Sequence, residues 1–486
     1  MHKLRRKVLI PSFNLTEVCD VEDNLAQPRL IKLGSGKETF TYHIRSVINP
    51  ITLRGYDYNL LPLVLDKNSA PWGVATMFVL SKLEGDIDLA TIKSLADDLG
   101  AFKEWLDCDD NPDRLLVDFS RMKQRRVTYR YRGELKRKVD DGSIASSTAA
   151  RRMSSIIAFY RWLIKEGLLE PENTPWEERT FNLALKNAHG RQFNSTIKST
   201  DLRISVAKAD DPFDGMINDE GKLRPLTLRE QKLVMQAAVE LGNGEMFFIL
   251  LFMMLTGARV QTAGTLRVRD FMRDKVAFSQ GLTGISQVYK LKAGPGTGID
   301  TKRDKIGVLQ IPRLLYESLC TYAVSERATH RRRIAPGGDH ENQYLFLTQQ
   351  GSPYYTAKEE MRRFNPDLTR RHHKTGGTIR QFMTDRLIPH IRKNYDSKFK
   401  FQLHDLRATF GMNQTDVQMA LVHAGKISLL KARTNVMALM WHTSSATTER
   451  YLDYRKHTEA AYAAVNDYGD LVQQWIGEVM KGVDYN

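Results

Sequence analysis

Cysteine is nearly missing from this chain: Cys19, Cys108 and Cys320 are the only three in 486 residues, far apart and in no metal-type spacing. So sparse and odd a set excludes a disulfide framework and a zinc site, and fits a reducing compartment with the thiols as small buried hydrophobes. Long apolar runs are missing too. The longest, residues 247–255, is about half of what a membrane span requires, so no membrane partner is expected. The basic start, Met1-His2-Lys3-Leu4-Arg5-Arg6-Lys7, leads into only a short apolar patch with no small-residue cleavage site. That argues against a secretory leader and for the bacterial cytoplasm or nucleoid. No internal repeat or low-complexity tract is present.

Acid is the last shortage. Against 72 Lys+Arg stand 57 Asp+Glu, a net charge of +15, and a polyanion such as nucleic acid is the natural partner for that surplus. At 486 residues the chain exceeds what one core usually serves, so two or three domains are expected.

Periodicity divides the chain. Residues 1–70 carry strand-like Val8-Leu9-Ile10-Pro11 and Phe40-Thr41-Tyr42-His43-Ile44, which predicts a small β-rich region or extended arm. Residues 71–190 read as helical. Ile92, Leu95, Leu99, Phe102 and Leu106 line one helix face, and Ser146-Ser147-Thr148 is read as the cap of a helix whose face includes Ile156, Phe159, Tyr160, Trp162 and Leu163. Between these helices, nine of the eighteen residues from Arg121 to Lys138 are basic, with Tyr129 and Tyr131 interleaved. That pattern predicts a nucleic-acid contact, and Arg125, Arg126, Arg130 and Arg132 are its candidate residues. Residues 191–224 lose periodicity and read as a linker. Residues 225–486 begin at a capping box, Thr227-Leu228-Arg229-Glu230, and hold a buried helix over 247–255. Strand-like runs follow at 276–278, 288–292, 308–312 and 344–347, and an amphipathic helix closes the chain over 457–483. The fold class expected is mainly α with a small β-sheet, an α+β arrangement.

The chemistry concentrates in this second half. Ala293-Gly294-Pro295-Gly296-Thr297-Gly298 has the glycines of a phosphate loop without Walker spacing or a following helix, so no nucleotide cofactor is expected. What remains is Arg259 after Thr256-Gly257-Ala258, Lys302 on a hairpin connector, His404 and Arg407 in His404-Asp405-Leu406-Arg407, then His442 and Tyr451 nine residues apart. A phosphodiester under attack gathers charge on its non-bridging oxygens, which arginine forks meet two at a time without losing charge. Histidines donate to the same oxygens or manage the nucleophile's proton, and a lysine protonates the leaving 5′ oxygen. A tyrosine nucleophile stores the bond energy as a phosphotyrosyl ester.

In that order these motifs resemble the tyrosine recombinase (phage integrase) family. Thr256-Gly257-Ala258-Arg259 is similar to its T-G-x-R and His404-Asp405-Leu406-Arg407 to its H-x-L-R, while His442 to Tyr451 matches the histidine-to-nucleophile spacing. The likeness covers roughly residues 75 to 480. It implies a helical core-binding domain and a mixed catalytic domain forming a C-shaped clamp on double-stranded DNA at specific recombination sites. It further implies a homotetrameric synapse, a 3′-phosphotyrosyl intermediate, no divalent metal, and a role in integration or excision of a mobile element, with accessory proteins possible partners. The closing helix would dock into a neighbouring protomer. Three positions depart from the pattern: Thr262 stands where an acidic residue is usual, Trp441 where glycine is common, and the stretch from Arg407 to His442 is longer than usual. For the lysine, Lys292 and Lys305 are alternatives to Lys302. A type IB topoisomerase or telomere resolvase would share this chemistry, and a non-catalytic DNA-binding accessory protein would share the scaffold.

Overall fold

The computed structural model describes residues 6–33, 38–50, 53, 55–85, 87–186, 192–206, 216–219, 221–272, 276–282, 287–368 and 372–455. The chain forms two compact units, Met1–Ala209 with Arg362–His372, and Asp210–Met361 with His373–Asn486. The expected helix over 457–483 lies outside the described residues.

The first unit opens with five strands, β1 (Lys7–Asn14), β2 (Thr16–Cys19), β3 (Gln27–Leu33), β4 (Glu38–Ser46) and β5 (Asp57–Val64). β1 pairs antiparallel with β5, and β4 lies between β2 and β3. Five helices follow: α1 (Gly73–Leu83), α2 (Leu89–Leu106), α3 (Pro112–Leu116), α4 (Val127–Asp140) and α5 (Ser146–Lys165). The expected stripe of α2 is the buried one, with Ile92, Leu99, Phe102 and Leu106 packed against Phe159 and Tyr160 of α5 and Leu61 of β5 in a single core. Asn111 caps α3 and Pro112 fills its first turn, where a missing N–H costs nothing. Two expectations change here. The residue at the start of α5 is Ala145, which offers no side-chain cap. Residues 178–186, inside the stretch expected to be helical, form β6 (Glu178–Lys186), and residues expected as linker form β7 (Gln192–Thr200), the two making a nine-pair antiparallel ladder. In sequence Phe181, Leu183 and Leu185 recur at every second position of β6, a strand period, while β7 opposite it is mostly polar.

The second unit begins with a two-pair hairpin, β8 (Ile217–Asn218) and β9 (Lys222–Leu223), also within the stretch expected as linker. The capping box at Thr227 and Glu230 is made on both sides and starts α6 (Leu228–Glu240). α7 (Gly244–Thr256) is the expected buried helix, stopped by Gly257 at φ 68°, a left-handed cap that glycine takes without strain. α8 (Val260–Gly264) follows, then the antiparallel pair β10 (Val288–Ala293) and β11 (Gly307–Pro312). Helices α9 (Arg313–Val324), α10 (Glu326–Ile334), α11 (Lys358–Arg362), α12 (Gly377–Phe382), α13 (Ile388–Asn394), α14 (Asp405–His423) and α15 (Leu429–Met440) complete the unit with a helix over 445–455. Residues 276–278 and 344–347 are not strands. Val276 and Phe278 lean on the core, and Leu345 and Phe346 sit within it, so burial of irregular backbone produced the same apolar signal. The extra length between Arg407 and His442 is spent on α14, a turn at Gly425 and α15.

Candidate active site

α14 carries the centre of the site. Its first eight residues, Asp405 to Met412, are all buried, so each side chain must be paired or packed. Arg407 is 3% exposed. Its Nη1 donates to the Gly257 carbonyl at 2.8 Å and its Nη2 to the Met440 carbonyl. Those carbonyls end α7 and α15, and the negative ends of two helices suit a guanidinium. Gly257 is needed for a second reason: a Cβ there would stand 2.4 Å from the Phe410 ring.

His442 and Tyr451 face the same point from the other side. His442 Nδ1 meets the Thr448 hydroxyl at 3.0 Å, leaving Nε2 as the donor to a carboxylate oxygen at 3.3 Å. Thr448, fully buried, thus orients the imidazole. The Tyr451 hydroxyl donates to that same oxygen at 3.0 Å, and Arg407 Nε lies 3.6 Å from it. The oxygen is Oδ2 of Asp219, from the β8–β9 hairpin, a residue sequence reasoning passed over as linker. Burial alone would raise the Asp219 carboxyl, but the His442 hydrogen bond, the charges of Arg407 and His442, and the Tyr451 hydrogen bond outweigh it and hold it well below the usual carboxylate range. Tyr451 moves the other way. Burial and the Asp219 charge push its phenol well above the usual value, against the pull of Arg407 and Arg259.

The remaining predicted residues frame this cluster. Arg259 is half-buried at the start of α8, close enough for its charge to act on Tyr451. Thr262, in the position usual for an acid, donates to the Asp300 carbonyl at 2.8 Å. His404 is half-buried at the start of α14. Lys302 is half-buried in the turn before β11 and Lys292 is exposed on β10. Lys305 is the lysine brought against the cluster's wall, its Nζ donating to the Trp441 carbonyl at 3.0 Å. Trp441 caps α15 in the left-handed conformation, φ 53°, the geometry for which glycine is ordinarily chosen. Its ring lies where a Cβ on Gly307 would fall, 2.4 Å from the nearest ring carbon.

In the first unit the basic run is not a loop. Arg126 is buried and donates to the carbonyls of Ser120, Arg121 and Thr174. Tyr131 is core, Tyr129 donates to Asp201, and Arg132 donates to the Leu202 carbonyl. Arg125 and Arg130 are exposed, the latter paired with Asp109 at 3.2 Å. On α5, Arg151, Ser154 and Arg161 line a cavity of ≈ 600 Å³ with Lys198 and Arg203, a basic concavity that no local motif announced. Among the described residues no group of three or more His, Cys, Asp and Glu side chains is placed to hold a metal ion, and no helix is long and apolar enough to cross a membrane.

No family model and no curated protein matches the chain by sequence. Among solved structures it is similar to the Tn1549 transposon integrase in complex with circular intermediate DNA, at 13% identity and TM-score 0.43, covering 78% of this chain and 94% of that one. It is similar also to the lambda integrase dimer bound to a COC′ core site, at 15% identity and TM-score 0.41, covering 79% and 95%. Likeness at this level carries no weight beside the geometry, and the chemical reading rests on the site.

Proposed function

We propose that this chain is a tyrosine-type site-specific DNA recombinase that cuts and rejoins strands of double-stranded DNA through a 3′-phosphotyrosyl ester on Tyr451. One observation carries the reading: a phenol hydroxyl, an imidazole N–H and a guanidinium converge on one anionic oxygen at 3.0, 3.3 and 3.6 Å. Donors aimed at a single oxyanion position, with water excluded, are what phosphoryl transfer needs. In the reaction the Tyr451 oxygen bonds to phosphorus and the bond to the 5′ oxygen breaks. One histidine of the pair His404 and His442 takes the phenol's proton while the other donates to a non-bridging oxygen. A lysine hands a proton to the leaving 5′ oxygen. Lys305 suits that task better than Lys302 because its ammonium already lies one residue from His442. Rejoining runs the same steps backwards, so no nucleotide cofactor is consumed. Exchange between two sites calls for several protomers, a homotetramer on DNA, serving integration or excision of a mobile element.

The test is a covalent trap. Nicked duplexes drawn from DNA flanking the gene, incubated with the full chain, are expected to give a protein–DNA adduct that Tyr451→Phe abolishes. An adduct that survives Tyr451→Phe overturns the assignment. Relaxation of plasmids without a specific site would instead mark a topoisomerase, and hairpin products a telomere resolvase.

A further inference from the structure

Asp219 raises a question that the reaction leaves open. Its Oδ2 already holds the position that the attacked phosphate requires: it accepts from Tyr451 and His442 and faces Arg407. Two anionic oxygens cannot share three donors within about 3 Å of one another without strong repulsion. The site is closed as well as occupied. Tyr451 is fully buried, Asp219 is 2% exposed and Arg407 3%, so a DNA backbone cannot reach the phenol while the hairpin is seated.

We propose that the β8–β9 hairpin is a built-in pseudosubstrate, with the Asp219 carboxylate standing in for the scissile phosphate and DNA having to displace it before Tyr451 can act. The inference rests on the functional reading above.

The mounting of the hairpin fits a part that swings out. Its exit leg is fastened to α14: the Arg224 N–H donates to Asp405 at 3.0 Å and the Leu226 N–H to the buried Thr409 hydroxyl at 2.9 Å. Its tip is held by other contacts. β8 and β9 share only two residue pairs, Ile217↔Leu223 and Asn218↔Lys222. Around Asp219, Ile217 and Leu223 pack in one buried cluster with Tyr451 and Met440, and the Arg450 guanidinium donates to the Asn218 carbonyl. Rotation about the chain before Arg224 would therefore break the tip's contacts and keep the anchor. The exchange is balanced in charge. With the hairpin seated, the carboxylate neutralises the cationic pocket; with DNA seated, a phosphate does. A general-base role for Asp219 would place it against the phenol during attack, where it would exclude the phosphate it must serve.

Asp219→Asn keeps the shape and removes the charge, and it is expected to form the covalent adduct at least ~10-fold faster than the natural protein at subsaturating DNA. That factor corresponds to a hairpin seated roughly nine-tenths of the time. Arg450→Ala, which unties the tip and leaves the carboxylate in place, is expected to accelerate the adduct in the same direction, and it carries the test if Asp219→Asn melts below the assay temperature. A second readout needs no DNA. Orthovanadate, a tetrahedral anion, is expected to bind Asp219→Asn about tenfold more tightly than the natural protein by titration calorimetry. If the natural protein forms its Tyr451 adduct and both variants form it no faster, the pseudosubstrate is overturned. If no protein forms an adduct, the recombinase reading is what fails, and vanadate alone decides: tighter binding supports the plug, and unchanged binding overturns it.

Discussion

Burial and the neighbouring Asp219 carboxylate keep the Tyr451 phenol neutral further up the pH scale than a free tyrosine. Burial and Asp219 raise its pKa above the ordinary value near 10, so this contribution to stability is complete below about pH 10 and is lost as pH rises through the higher folded value. Asp219 works at the other end. Its lowered pKa gives stability present above about pH 4 and lost as pH falls through the folded value, so both contributions are complete at neutral pH. An ultraviolet difference titration between the natural protein and Tyr451→Phe is expected to show this phenol ionising above the ordinary tyrosine range. With Asp219→Asn in both proteins, the transition is expected to move down, because a charge that opposes ionisation has gone. A phenol that titrates at the ordinary value would place Tyr451 in water and contradict the closed site.

At the scale of elements, α14 does the positioning through two pairs of residues, each pair spaced by four. Asp405 and Thr409 fasten the exit of the hairpin, while Arg407 faces Asp219 and Gly411 makes room for the Tyr451 ring. Gly411 lies mid-helix, where alanine would favour the helix by about 1 kcal/mol, yet a Cβ there would stand 2.5 Å from the Tyr451 ring. Gly411→Ala is therefore expected to cost at least ~10-fold in adduct formation despite its better helix propensity, equivalent to about 1.4 kcal/mol in the barrier. An unchanged rate would mean that the ring moves without consequence. Local spacing made much of this legible: the Thr227 capping box, the stop at Gly257 and the stripe of α2, while motif order and the family resemblance grouped Arg407, His442 and Tyr451. What was hidden depends on distance in the chain. Asp219 lies 223 residues from His442 and 232 from Tyr451, in a polar stretch whose composition reads as linker. The β6–β7 hairpin was passed over although Phe181, Leu183 and Leu185 alternate along β6, because that run is short and its partner strand β7 is mostly polar. Lys305 was one of three candidate lysines, with Lys292 on β10 and Lys302 on the connector, and it is the Trp441 carbonyl that marks it.

At the scale of the molecule the +15 charge has to be divided between arginines that hold the protein together and arginines left for the proposed polyanionic partner. Number and spacing could not make that division between Arg121 and Lys138; burial does. Arg126 satisfies three backbone carbonyls, so Arg126→Ala is expected to destabilise the first unit by about 2–4 kcal/mol, which a thermal melt would register. Arg125 and Arg130 are exposed, and their joint replacement by alanine is expected to leave the melt within about 0.5 kcal/mol. Non-specific duplex binding should then weaken, with the dependence of log affinity on log salt flattening by roughly 2 units, close to one unit for each phosphate that is no longer neutralised. The two measurements together separate folding charge from binding charge. If Arg126→Ala flattened the salt slope and left the melt unchanged, its three carbonyl hydrogen bonds would not be what the guanidinium is for, and the basic run would return to the role its composition suggested.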